Sequence, residues 1–192
     1  MQDPVLDFTT DPLDWRPHIT PVDLAGATPE QLDAMKVTPS NKGVSPYVLV
    51  LAHEPDMLRE RTPLFNEIMY GEGGLSRAGR ELGALGASVV NHCVFCASVH
   101  AARYIQQARK PEIVAEIFEN GAKADLPLEE QALFDFAVDI TTDPMSVTSY
   151  HLHHLRNMGL SDLEIVDLIH AVAIFGWANR LMHTLGEPHR KG

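Results

Sequence analysis

Asn91-His92-Cys93-Val94-Phe95-Cys96-Ala97-Ser98-Val99-His100 holds both cysteines of a 192-residue chain. Each residue advances about 100° on an α-helix, so Cys93, Cys96 and His100 fall within an arc of roughly 60°. Two thiols and an imidazole then face one small volume. Asn91 suits the N-cap of this helix, which is expected to run to about Ala108. Cys93 would sit in the first turn, where free N–H groups and the positive end of the helix dipole stabilise a thiolate. Residues three apart on a helix have Cα atoms about 5 Å apart, inside the range a disulfide spans. His100 lies one turn beyond Cys96 and can accept or return its proton. Glu81 lies twelve residues before Cys93. Antiparallel packing of its helix against the thiol helix would return its carboxylate to the site, to orient the imidazole or relay a proton.

Outward from this stretch the pattern stays helical. Ser76 can cap the helix that carries Glu81 toward Val90, and Gly71 with Gly73-Gly74 separates it from a helix over about 56–70. Downstream, Pro111 opens a helix that closes near Gly121, and Leu133, Phe134, Phe136, Ala137 and Ile140 repeat at a period of three to four. A helix through Tyr150, Leu152 and Leu155 stops at Gly159. Ser161-Asp162-Leu163-Glu164 is a capping box for a final helix reaching about Leu185. Thr28-Pro29-Glu30-Gln31 starts a short helix that the turn-forming stretch from Pro39 to Pro46 ends. Residues 1–27 are rich in Pro and Asp and read as an extended arm anchored by Trp15 and Ile19. Residues 1–44 are thus an N-terminal arm with a short helix, and 45–192 the helical domain. No segment shows a period-2 run bounded by turns, so the fold class is all-α. Gly74-Leu75-Ser76 returns as Gly159-Leu160-Ser161, each opening an apolar helix, which hints at an internal pseudo-repeat.

Composition narrows the function. The formal net charge is −11. Such a surface repels phosphate backbones and anionic lipid, which argues against nucleic-acid and membrane partners. The N-terminus lacks the basic and apolar regions of a secretory signal, and no apolar run reaches the length of a bilayer span. The expected compartment is the cytoplasm, where a lone CxxC is catalytic or metal-binding more often than a structural staple. Metal binding is the rival to redox use, because Cys93, Cys96, His100 and His92 offer four zinc ligands. No second CxxC or HxxxH cluster accompanies them, and no metal or cofactor is expected. The bland reading of Glu81 is a solvated carboxylate. His151 and His154 share a helix face, His170 reads as a core histidine, and His183 and His189 as exposed. Phe65, Met69, Phe134, Phe136, Phe175, Trp177 and Met182 read as core, some of them lining the approach to the thiols.

Glu81 followed by Cys93, Cys96 and His100 resembles the Glu-x11-Cys-x2-Cys-x3-His motif of alkylhydroperoxidase D (AhpD-like) proteins of the carboxymuconolactone decarboxylase superfamily. Weaker similarity extends over roughly 45–186, including Phe175-Gly176-Trp177-Ala178-Asn179-Arg180, and points to the peroxidase-related branch. The resemblance implies an AhpD-like helical bundle with an internal repeat, a homo-oligomer, and thiol-dependent reduction of organic hydroperoxides. It makes Cys96 the thiol that attacks the peroxide and Cys93 the thiol that resolves the sulfenic acid. His100 and Glu81 become the proton relay. An external dithiol, lipoyl-linked in the best-known relatives, restores the couple. The family carries a second His immediately before the second Cys. Phe95 occupies that place here, so the relay is shorter or another group such as His92 substitutes. Helix-dipole reasoning favours Cys93 as the lower-pKa thiol, and closeness to His100 favours Cys96. The decarboxylase branch, which acts on a lactone acid without a cysteine pair, matches poorly. Two alternatives stand beside the peroxidase: a thiol–disulfide oxidoreductase or redox sensor acting on a protein, and a helical oligomer with a structural metal.

Overall fold

The computed structural model describes residues 3–36 and 43–191. Its helices are α1 (Pro29–Met35), α2 (Pro46–Leu51), α3 (Pro55–Tyr70), α4 (Arg77–Val90), α5 (Val94–Ala108), α6 (Pro111–Asn120), α7 (Leu128–Thr142), α8 (Ser149–Asn157) and α9 (Asp162–Leu185). A short 3-10 turn covers Gly121–Lys123. Helices α1, α2, α4 and α9 start where hydroxyl side chains hold free N–H groups. Thr28, Ser45, Ser76 and Ser161 accept from the amides of Gln31, Val48, Gly79 and Glu164. Ser76 and Ser161 each follow a glycine of positive φ and a leucine, so the sequence echo corresponds to two like helix starts.

α4 is the axis of the fold, buried on every side from Gly79 to Val89. Two glycines let its neighbours approach. A Cβ at Gly83 would lie 2.7 Å from Leu168 Cδ1 on α9, and one at Gly86 would lie 2.9 Å from the Ala137 Cβ on α7. The loop ahead of α4 is clamped by buried Arg80. Its guanidinium donates to the carbonyls of Gly71 and Gly73 and to Asp167 Oδ2, which also accepts the Leu75 N–H. This pins the register of α4 on α9 and fixes the depth of Glu81. Phe134, Leu85, Ile117 and Leu168 are among the side chains that fill the core.

Two features depart from the sequence reading. A two-stranded antiparallel sheet joins the arm to the C-terminus: β1 (Leu13–Pro17) pairs with β2 (Gly186–Arg190), Trp15 opposite Pro188. Each strand has five residues and at least one proline, so neither shows the alternation that betrays a strand. Trp15 is buried, with its indole N–H donating to the Met182 carbonyl at 3.2 Å, whereas Ile19 is exposed. Also, α9 is long and apolar enough, on length and composition, to cross a bilayer, with 44% of the qualifying window buried in this fold. Its inward face packs through Leu168, Ala171, Val172 and Phe175 into the same core cluster as Ala84 and Ala87 of α4.

Candidate active site

The thiol helix begins two residues later than the sequence suggests. Asn91 ends α4, its N–H donating to the Ala87 and Val89 carbonyls, and His92 adopts a left-handed φ of 53°. Cys93 is the N-cap of α5, and Cys96 is its third residue. The turn is held by the Cys93 N–H donating to the Ser88 carbonyl at 2.8 Å. Cys93 Sγ therefore occupies the place of a capping oxygen, beside the open end of the helix.

Both cysteines are free and buried. The Cys96 thiol donates to the Cys93 sulfur and holds the Cys93 thiol below its ordinary range; burial opposes this and the Cys96 backbone N–H reinforces it. The same hydrogen bond, with burial, pushes the Cys96 thiol up. The pair therefore shares its protons, Cys93 carrying the first negative charge and Cys96 the remaining proton.

Behind the thiols lies a buried acid–base pair. His100 Nδ1 is 2.5 Å from Glu81 Oε2, and Arg77 donates through Nε and Nη2 to Glu81 Oε1, the Nε contact at 2.7 Å. Glu81 has no exposed surface. Burial pushes its carboxyl up, but the His100 hydrogen bond and charge, with Arg77, outweigh this and hold it below the usual range. A carboxylate at Oε2 requires a proton on Nδ1, which leaves Nε2 of neutral His100 as an acceptor. Phe175 packs its ring against the imidazole at a centroid distance of 4.0 Å and an interplanar angle of 79°.

A cavity of about 220 Å³ opens onto these groups. Cys96, His100 and Glu81 line it, whereas Cys93 does not. Its walls are Tyr47, Phe65, Met69, Phe95, Phe175 and Met182, with Arg61, Arg77 and Arg103 among them. Trp15 closes the far side of the thiols, packing with Cys93, Cys96, Val50 and Met182 and meeting the Tyr47 ring edge-on at 5.6 Å. The arm thus covers the site of its own chain.

The structure brings Glu81, Cys93, Cys96 and His100 together, and corrects several expectations around them. His92 is exposed and stacks near Phe8 at 6.2 Å, so it neither replaces the missing relay histidine nor completes a four-ligand zinc set. Among the described residues no group of three or more His, Cys, Asp or Glu is placed to hold a metal ion. Phe95 puts an apolar ring in the cavity wall where the family carries that histidine. His170 is exposed on α9 rather than in the core, His189 is a buried residue of β2 rather than exposed, and Trp177 is 37% exposed. His151 and His154 line a separate surface pocket with Asp139. Sequence reasoning missed Arg77, Tyr47 and Arg61. Arg77 had a signal, its i,i+4 spacing to Glu81. Tyr47 and Arg61 come from α2 and α3, far along the chain, with no local pattern to mark them.

Comparison with known proteins bears on the family and the fold. Residues 55–134 match the carboxymuconolactone decarboxylase family. The fold is similar to the AhpD core of an uncharacterized peroxidase-related protein from Ralstonia eutropha JMP134, with 27% identity, a TM-score of 0.76, and coverage of 88% of this chain and 90% of that one. An uncharacterized peroxidase-related protein from Silicibacter sp. TM1040 is similar in fold at 24% identity and a TM-score of 0.72, covering 85% and 87%. The debrominase Bmp8, in a variant bound to 2,3,4-tribromopyrrole, shares the fold at 19% identity and a TM-score of 0.69, covering 88% and 89%. The comparison with curated proteins gives no match. A helical fold of this kind and a family match over 55–134, which spans the motif, support the resemblance to the AhpD-like, carboxymuconolactone decarboxylase superfamily.

Proposed function

We propose that the protein is a thiol-dependent peroxidase that reduces organic hydroperoxides through the Cys93–Cys96 couple. The observation that carries this reading is the placement of Cys96 at the cavity with the His100–Glu81 pair beside it and Cys93 directly behind. His100 Nε2 takes the Cys96 proton, and the thiolate attacks the terminal peroxide oxygen. The O–O bond breaks, Cys96 becomes a sulfenic acid, and the alkoxide takes the proton back from His100. The Cys93 sulfur then attacks the Cys96 sulfur. Its own proton leaves with the hydroxide as water, and the disulfide forms. An external dithiol returns both thiols, giving an alcohol and water for each peroxide and dithiol consumed.

Proton affinity within the resting pair puts the first charge on Cys93, but Cys93 does not line the cavity. Access decides the roles: loss of the Cys96 proton to His100 puts the charge on the sulfur that meets substrate, while Cys93 keeps a proton for the later release of water. The same burial disfavours a protein disulfide as the substrate, because both thiols are less than a tenth exposed. A reducing compartment such as the cytoplasm suits a couple that must be restored. Leu163, Val166 and Trp177 of α9 are exposed and give an apolar surface that suits a homo-oligomer.

The test is trapping. Cys93→Ser treated with cumene hydroperoxide and dimedone should carry the adduct on Cys96, and Cys96→Ser should carry none on Cys93. An adduct on Cys93 in Cys96→Ser, with full peroxide consumption, would reverse the roles. Absence of any adduct or peroxide loss would overturn the reading.

A further inference from the structure

We infer that the hydroperoxide this pocket takes bears its own carboxylate, bound by Arg61 with the Tyr47 hydroxyl beside it and Arg103 at the rim. This rests on the peroxidase reading above and names the substrate class for that site. Arg61 is largely buried in the cavity wall, yet it makes no hydrogen bond or ion pair among the described residues. Its Nε–H is fully buried with no acceptor. The guanidinium lies over the Phe65 ring, 4.3 Å from the centroid. A ring face satisfies the charge in part but leaves the Nε–H unbonded. The Tyr47 hydroxyl, in the same cavity, is also buried without a partner among the described residues, and the two groups interact electrostatically.

Two unsatisfied donors in one apolar cavity call for one acceptor that arrives with the ligand. The carboxylate of this chain that lines the cavity, Glu81, cannot serve, because its oxygens are taken by Arg77 and His100. Arg103, with no ion pair among the described residues, adds a further cation at the exposed edge. In a chain of net charge −11, a cavity with three guanidiniums and one carboxylate is a local reversal of sign that draws anions in. Phe65, Met69 and Phe175 between the donors and His100 ask for an apolar body joining the carboxylate to the peroxide.

The experiment compares cumene hydroperoxide with its para-carboxylate analogue, and calorimetric binding of redox-inert 4-isopropylbenzoate with that of its neutral amide. Wild type should show kcat/KM about 10–100-fold higher for the carboxylate peroxide, the value of a charge-assisted bond, and should bind the benzoate but not the amide. Arg61→Met should collapse both differences. Arg103→Gln, at the exposed edge, should reduce them, and Arg156→Gln, paired with Asp162 and outside the cavity lining, should leave them intact. Equal kcat/KM for both peroxides in wild type, or no benzoate binding, would overturn the inference while leaving the peroxidase reading in place. Benzoate binding lost in Arg61→Met, with neither peroxide consumed, would keep the anion site and remove the peroxidase reading.

Discussion

Replacing Glu81 by Gln tests the buried acid–base pair with least change of shape. The carboxylate presents an acceptor to each side, Oε1 to Arg77 and Oε2 to His100. A carboxamide presents one oxygen and one NH2. If the oxygen stays on Arg77, the NH2 meets His100 Nδ1, and the imidazole must move its proton to Nε2 to accept it. Nε2 then donates and can no longer take the Cys96 proton. If the oxygen turns to His100, Arg77 loses its acceptor and half-buried charge is left unpaired. Each charge-assisted hydrogen bond is worth about 1.5–3 kcal/mol, and Arg77 recovers part through its exposed edge. A net loss of about 2–4 kcal/mol follows, which lowers Tm by about 5–15 °C in a domain of this size. Losing a correctly protonated base costs about 10²–10⁴ in rate. Stopped-flow oxidation of the thiols by cumene hydroperoxide, run beside thermal melting, reads both. A variant that melts within a degree of wild type and oxidises at the wild-type rate would show that Glu81 neither holds nor orients His100.

The same carboxylate sets a pH dependence. Its folded pKa lies below the ordinary value of 4.5, so its stabilisation is complete above that value and is lost as pH falls through the folded one. The Tm gap between wild type and Glu81→Gln should therefore narrow on acidification below 4.5; a gap constant across the acid range would contradict the lowered pKa. Trp15→Ala removes the indole that packs on both thiols. It should destabilise the fold by about 3–5 kcal/mol and speed alkylation of Cys93 by iodoacetamide in the native state. Unchanged alkylation would mean that the arm does not shield the couple.

The helices were legible wherever a capping hydroxyl preceded an apolar period, as at Thr28, Ser76 and Ser161, because such caps are local chemistry. The four-residue motif was legible for the same reason: spacing on two helices fixes which face each residue takes. The start of α5 was misplaced at Asn91 because asparagine serves helix ends as readily as starts, and His92 reaches the left-handed region without a glycine to announce it. The two strands were hidden by Pro17 and Pro188 and by pairing across almost the whole chain. Tyr47 and Arg61 were silent because nothing local distinguishes a pocket residue from a helix-surface one until α2 and α3 are folded against α9. His189 was read as terminal and exposed, and its place in β2, paired with β1, buries it.

The most direct measurement is a thiol titration before and after one equivalent of cumene hydroperoxide per chain. The account predicts that both cysteines disappear together, that one cumyl alcohol forms, and that dithiothreitol restores both thiols. Full peroxide recovery with both thiols intact, or loss of one thiol alone, would contradict it.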